Sequence, residues 1–79
     1  GADDVDVYRV VATRNTEVIV RFTHAMGDID IEAVREDGTR IAQSLSVANE
    51  ERVRSTGTFY VRVFINSGTN PYTIETRAL

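Results

Sequence analysis

The side chains able to do chemistry are few. His24 is the only histidine, and there is no cysteine. A Ser-His-Asp unit would need His24 beside Ser44, Ser46, Ser55 or Ser67, with a carboxylate to orient the imidazole. None of these serines stands in a nucleophile elbow, and His24 reads as an exposed loop residue. Asp28, Asp30 and Glu32 recur at every second position, which places all three on one face of a strand. Such carboxylates can do acid–base work or bind calcium. Calcium, however, takes about six to eight oxygens, usually from a loop, and a straight strand presents few. A solvated face paired with arginines on neighbouring strands is the stronger reading. The Asp3-Asp4-Asp6 cluster is the better calcium candidate, and a frayed acidic terminus is preferred to it. These residues assign no catalytic group, no metal ligand and no required cofactor.

One constellation points to binding instead. Tyr60, Arg62 and Phe64 are spaced two apart, so on a strand they form a stripe about 14 Å long on one side. Tyr and Arg are favoured at interface hot spots because they bury area and still offer polar handles. The plain alternative is that this side packs under a loop or pairs Arg62 with a carboxylate, and the residues alone do not choose. Tyr8 and Tyr72 read as core or rim residues with their hydroxyls at the edge.

The elements that must position this stripe are strands. In Gly57–Ile65 the apolar residues Phe59, Val61, Val63 and Ile65 share one parity, while Thr58, Tyr60, Arg62 and Phe64 share the other. That run predicts a central strand, with Gly57 as its entry turn. Before it come predicted strands at Val5–Ala12, Glu17–Thr23, Asp28–Val34 and Thr39–Ser44, with a short one around Arg52–Arg54. A last strand is predicted over Tyr72–Arg77. Thr13–Thr16 reads as a turn because Asn tolerates a left-handed backbone. Asp37-Gly38 reads as a hairpin turn, and Asn66–Pro71 as a turn cluster. Gly1–Asp4 reads as a loose segment. No stretch of ten or more residues keeps a helical period, and Leu45–Arg52 is too short to form a stable helix. The expectation is a single all-β domain over residues 1–79: a small antiparallel β-sandwich of about seven strands.

Composition bounds the partners. The 79 residues suffice for one small domain with a thin core. Net charge is −3 and all nine basic residues are arginine, a balance that argues against nucleic acid. No apolar run is long enough to span a membrane as a helix, and no stretch reads as a signal peptide.

Five motifs in order carry a family resemblance: Asp6-Val7-Tyr8, then Gly27-Asp28-Ile29-Asp30-Ile31, Asp37-Gly38-Thr39, Gly57–Val63, and Tyr72-Thr73-Ile74. The chain resembles the bacterial pre-peptidase C-terminal (PPC) domain from Asp6 to Ile74. It departs from that pattern at Val7, where the family often has Trp, and in the shortened segment before the central strand. The resemblance implies a jelly-roll-like sandwich at the end of a secreted bacterial protease or other exported enzyme. It implies a non-catalytic appendage, outside the cell or on its surface. Its role would be to aid secretion or to hold a polymeric or protein substrate, with the parent enzyme's catalytic domain as a further partner. A spacer or folding module without a ligand is the alternative. Some relatives bind calcium through an acidic segment ahead of the opening Asp-x-Tyr; here only five residues precede Asp6, and calcium is not expected of them.

Overall fold

The computed structural model describes residues 5–46, 48–65 and 71–79, with His24 described by its backbone alone. Five strands form one antiparallel sheet: β1 (Val5–Arg21), β2 (Ile29–Val34), β3 (Arg40–Ser44), β4 (Glu50–Ile65) and β5 (Thr73–Ala78), in the order β3-β2-β4-β1-β5. A single 3-10 turn, His24–Met26, joins β1 to β2. The Gly1–Asp4 segment and most of the Asn66–Pro71 turn cluster lie outside the described residues.

The difference between seven expected strands and five observed has two local causes. Val5–Ala12 and the predicted second strand, which ends at Arg21 rather than Thr23, are one continuous strand, β1, and the short Arg52–Arg54 strand is one with the central strand, β4. The predicted turn at Thr13–Thr16 fails because its Asn does not adopt the left-handed backbone: no described non-glycine residue has a positive φ. It is a bulge instead. Ala12 pairs with Gly57 and Thr16 pairs with Ser55, so three residues of β1 stand opposite Thr56 alone. Gly57 has φ +77° and bends β4 at the same level, inside the strand rather than at its start.

These two features fold the sheet. Seventeen residues at a rise of about 3.3 Å would reach about 56 Å if straight, yet the longest Cα dimension of the molecule is 34 Å. The bulge adds an even number of residues to β1 relative to β4, so side-chain parity is preserved across the bend. Tyr8, Val10 and Ala12 before it, and Val18 and Val20 after it, all point to the concave side. From β4, Phe59, Val61 and Val63 join Val53 there. Val18, Val20, Ile29, Ile31, Ala33, Phe59, Val61 and Val63 are fully excluded from solvent, in one cluster drawn from both sides of the bend. The inward parities predicted for β2 and the central strand are those observed. Ile41 is packed against the same cluster.

The β2–β3 hairpin forms at Asp37-Gly38 as the dipeptide predicts. Gly38 has φ +90°, and its N–H donates to Arg35 O at 2.9 Å. The Asp37 carboxylate accepts from the Thr39 N–H at 2.9 Å, which holds that carboxyl below its ordinary range. Arg35 also buttresses the bend: its Nη1 donates to Thr56 O at 3.0 Å and to Thr58 O at 3.3 Å, the carbonyls on either side of Gly57.

A Cβ at Gly57 would meet nothing nearer than Arg35 Nη1 at 3.7 Å, so a substitution there is opposed by backbone conformation rather than by space. Gly57→Ala is expected to lower stability by about 1–2 kcal/mol, measured by urea denaturation. An unchanged midpoint would show that the bend does not depend on this residue.

Candidate functional site

Tyr60, Arg62 and Phe64 alternate with the buried Phe59, Val61 and Val63, so the pleat of β4 turns them to the convex side. All three are half-buried there. Pairing with both neighbours places each in a row across the sheet. Phe64 lies between Val5 of β1 and Asp30 of β2, Arg62 between Val7 and Glu32, and Tyr60 between Arg9 and Val34. The valines of β1 widen the face: Val5, Val7 and Val11 are 44%, 58% and 63% exposed. An open groove of about 320 Å³ crosses this face, lined by Val7, Tyr60, Arg62, Val34, Arg35 and the β2–β3 turn. The three residues singled out from sequence thus come together on one surface. Arg62 is not free on it. Its Nη1 donates to Glu32 Oε1 at 3.0 Å, while Arg40 Nε donates to Glu32 Oε2 at 3.1 Å. Glu32 is therefore paired with arginines on both adjacent strands. Val34, opposite Tyr60, is 3% exposed.

The described serines among the other candidates are engaged elsewhere, and the side chain of His24 lies outside the described residues. Ser44 and Ser46 are both committed to Glu51. Ser44 Oγ donates to that carboxylate, and Ser46 donates to it through Oγ at 2.9 Å and through its backbone N–H at 3.2 Å. Ser55 is buried at the bend and donates to Thr56 O. Ser67, Asp3 and Asp4 lie outside the described residues. Asp6 accepts a hydrogen bond from the Tyr72 hydroxyl at 2.6 Å. Among the described residues no three His, Cys, Asp or Glu side chains gather as a metal-binding group.

Two arrangements escaped the sequence reading. Tyr8 and Tyr72 join their hydroxyls at 2.5 Å, with rings edge-to-face at 6.5 Å. Burial, then donation to Asp6, pushes the Tyr72 phenol well above its ordinary range. The second is on the convex side beyond the bend. Glu17 is 1% exposed and receives Arg52 Nη1 at 2.9 Å, Arg54 Nε at 2.8 Å and Arg77 Nη2 at 2.9 Å. These arginines come from β4 and β5, the strands flanking Glu17 in register. Arg52 also pairs with Glu50, Glu50 with Arg21, and Arg21 with Glu75. The signal for this lattice was present: Glu50, Arg52 and Arg54 alternate with Glu51, Val53 and Ser55. It does not name the strand that supplies the partner carboxylate.

The hydrogen bond from Arg54 holds Glu17 below its ordinary value of 4.5; burial opposes it, and the fields of Arg52, Arg54 and Arg77 add to it. Around that pH the folded chain binds fewer protons than the unfolded one. The contribution is present in full above the unfolded value and is lost as pH falls through the lower folded value. Glu17→Gln is expected to reduce stability at neutral pH and to flatten its decline between about pH 5 and pH 3, measured by urea denaturation across that range. A decline as steep as in the parent would remove Glu17 from this role.

No protein-family model matches the chain, and no curated protein matches it.

Proposed function

We propose that this chain is a non-catalytic accessory domain of an exported bacterial enzyme, of PPC type, which holds a polymeric or protein substrate on its convex face. On this reading the bent sheet is a jelly-roll-like β-sandwich whose two halves are its layers. The observation that carries the proposal is the row Tyr60, Arg62, Phe64, presented together and extended by the exposed Val5 and Val7. A flat run of aromatic and aliphatic groups with a guanidinium among them suits an extended polymer better than a small molecule, which calls for an enclosed cavity. Arg62 held by Glu32 keeps donors in a fixed position without reorganisation on binding. The parent enzyme's catalytic domain is a further partner for the same face, and the expected setting is outside the cell.

The second reading is a spacer or folding module without a ligand. It draws on the Arg62–Glu32–Arg40 ion pairs and on the buried Val34 opposite Tyr60, which give these side chains work within the sheet itself.

Replacing Tyr60 and Phe64 together by Thr keeps strand propensity while removing the aromatic surface. The accessory reading predicts about a tenfold or greater loss of co-sedimentation with insoluble protein polymers such as collagen or elastin, with the far-ultraviolet circular dichroism of a folded strand protein retained. Binding equal to the parent, or no binding by the parent to any polymer tried, would favour the spacer.

A further inference from the structure

Among the described residues the first half of β1 is paired on one side only. β4 runs along one side of β1, while β5 covers the other side only at Thr16–Arg21. Along Val5–Ala12 no strand among the described residues takes up the second side. An edge of this kind is a template for one more strand. The other free edges are blunted. Along Glu50–Thr58 of β4, on the side away from β1, Arg35 takes the Thr56 and Thr58 carbonyls and Ser44 Oγ accepts from the Arg52 N–H. β3 is five residues long and carries Arg40, tied to Glu32. β5 carries Glu75 and Arg77, both in ion pairs. The β1 edge has neither Pro nor Lys, and three of its four outward side chains are the exposed valines. Its concave side is covered only in part: Tyr72 packs on Tyr8 and holds the Asp6 carboxylate. Tyr8 and Val10 are half-buried, whereas Val61 and Phe59, their partners on β4, are wholly buried.

Charge and direction select the occupant. Arg9, the fourth outward residue, lies between Val7 and Val11 and opposite Tyr60, and among the described residues no carboxylate pairs with it. The Leu79 N–H donates to Asn15 O at 2.9 Å, so the β5 ladder reaches the point where the open edge begins. A strand laid antiparallel to β1 there keeps the sense in which β5 runs along β1, on the other side of the bend.

We infer that the Val5–Ala12 edge takes an extended acidic segment of a partner protein as an added antiparallel strand. Its apolar side chains lie beside Tyr8 and Val10 on the concave side, and a carboxylate lies beside Arg9 on the convex side. This goes beyond the accessory reading, because it concerns backbone pairing at the sheet's edge rather than contact with its face. The two fail separately: loss of polymer co-sedimentation bears on the face, and amide protection along Val5–Ala12 bears on the edge.

The test uses a synthetic peptide of about ten residues alternating Val and Glu, a second with a central Pro, and a third with Lys in place of Glu. Affinity is read by fluorescence anisotropy and backbone protection by hydrogen exchange. The acidic peptide is expected to bind and to protect amides within Val5–Ala12. The Pro peptide is expected to bind at least about tenfold more weakly, because it cannot complete the ladder. Arg9→Glu should weaken the acidic peptide by about tenfold and strengthen the Lys peptide, a reversal that unfolding would not produce. Equal binding of the acidic and Pro peptides, protection confined to other strands, or an Arg9→Glu variant that behaves as the parent overturns the inference. Protection of Val5–Ala12 that grows with protein concentration in the absence of peptide overturns it in favour of a second copy of this chain.

Discussion

Everything in this structure depends on β1 and β4 bending at the same level. A sheet with one apolar face needs a second layer to cover it. Among the described residues the only helical element is the three-residue turn at His24–Met26, so the apolar face is covered by the sheet itself. The bend that allows this combines a bulge on one strand with a left-handed glycine on the other. Arg35 reaches across from the end of β2 to hold both carbonyls beside that glycine. Because the bulge inserts an even number of residues, the even-numbered residues of β1 face inward on both sides of it. An odd insertion would have turned Val18 and Val20 to solvent and brought Glu17 and Ile19 into the core.

Two buried carboxylates mark how differently the two sides of the sheet are finished. Glu17, on the convex side, is ringed by three guanidinium groups. Ile19, outward by parity, lies between Arg52 and Glu75 and is 2% exposed; the aliphatic stem of a long charged neighbour can roof such a residue while its head stays in water. Glu51, on the concave side, is satisfied by Ser44 and Ser46, which fastens the end of β3 and the segment after it to the start of β4. Polar groups placed out of solvent in this way must be hydrogen-bonded to be tolerated, and both are. Away from this lattice, the convex face around Tyr60 and Phe64 keeps apolar and aromatic groups in the open.

Much of the fold was legible in the sequence because strand parity is a local signal. The alternation in Phe59–Ile65, in Ile29–Ala33 and in Val18–Phe22 correctly sorted inward from outward residues, and Asp37-Gly38 named its turn. The outward placement of Tyr60, Arg62 and Phe64 followed from the same parity. What could not be read was whether Thr13–Thr16 reverses the chain or bulges it. Both outcomes suit those residue types, and the choice is made by Gly57, more than forty positions away. Burial of outward residues was hidden for a related reason. Glu17, Ile19 and Val34 are covered by side chains from adjacent strands, and a single strand's pattern does not carry its neighbours' register.

The central claim, that the two long strands fold back so that their halves share one core, is tested most directly by small-angle X-ray scattering of the isolated chain. The account predicts a radius of gyration close to the 12.0 Å of the Cα trace, and a maximum dimension that exceeds its 34 Å extent only by the margin side chains and hydration add. A maximum dimension approaching the roughly 56 Å of a straight β1, with an elongated profile, would contradict it.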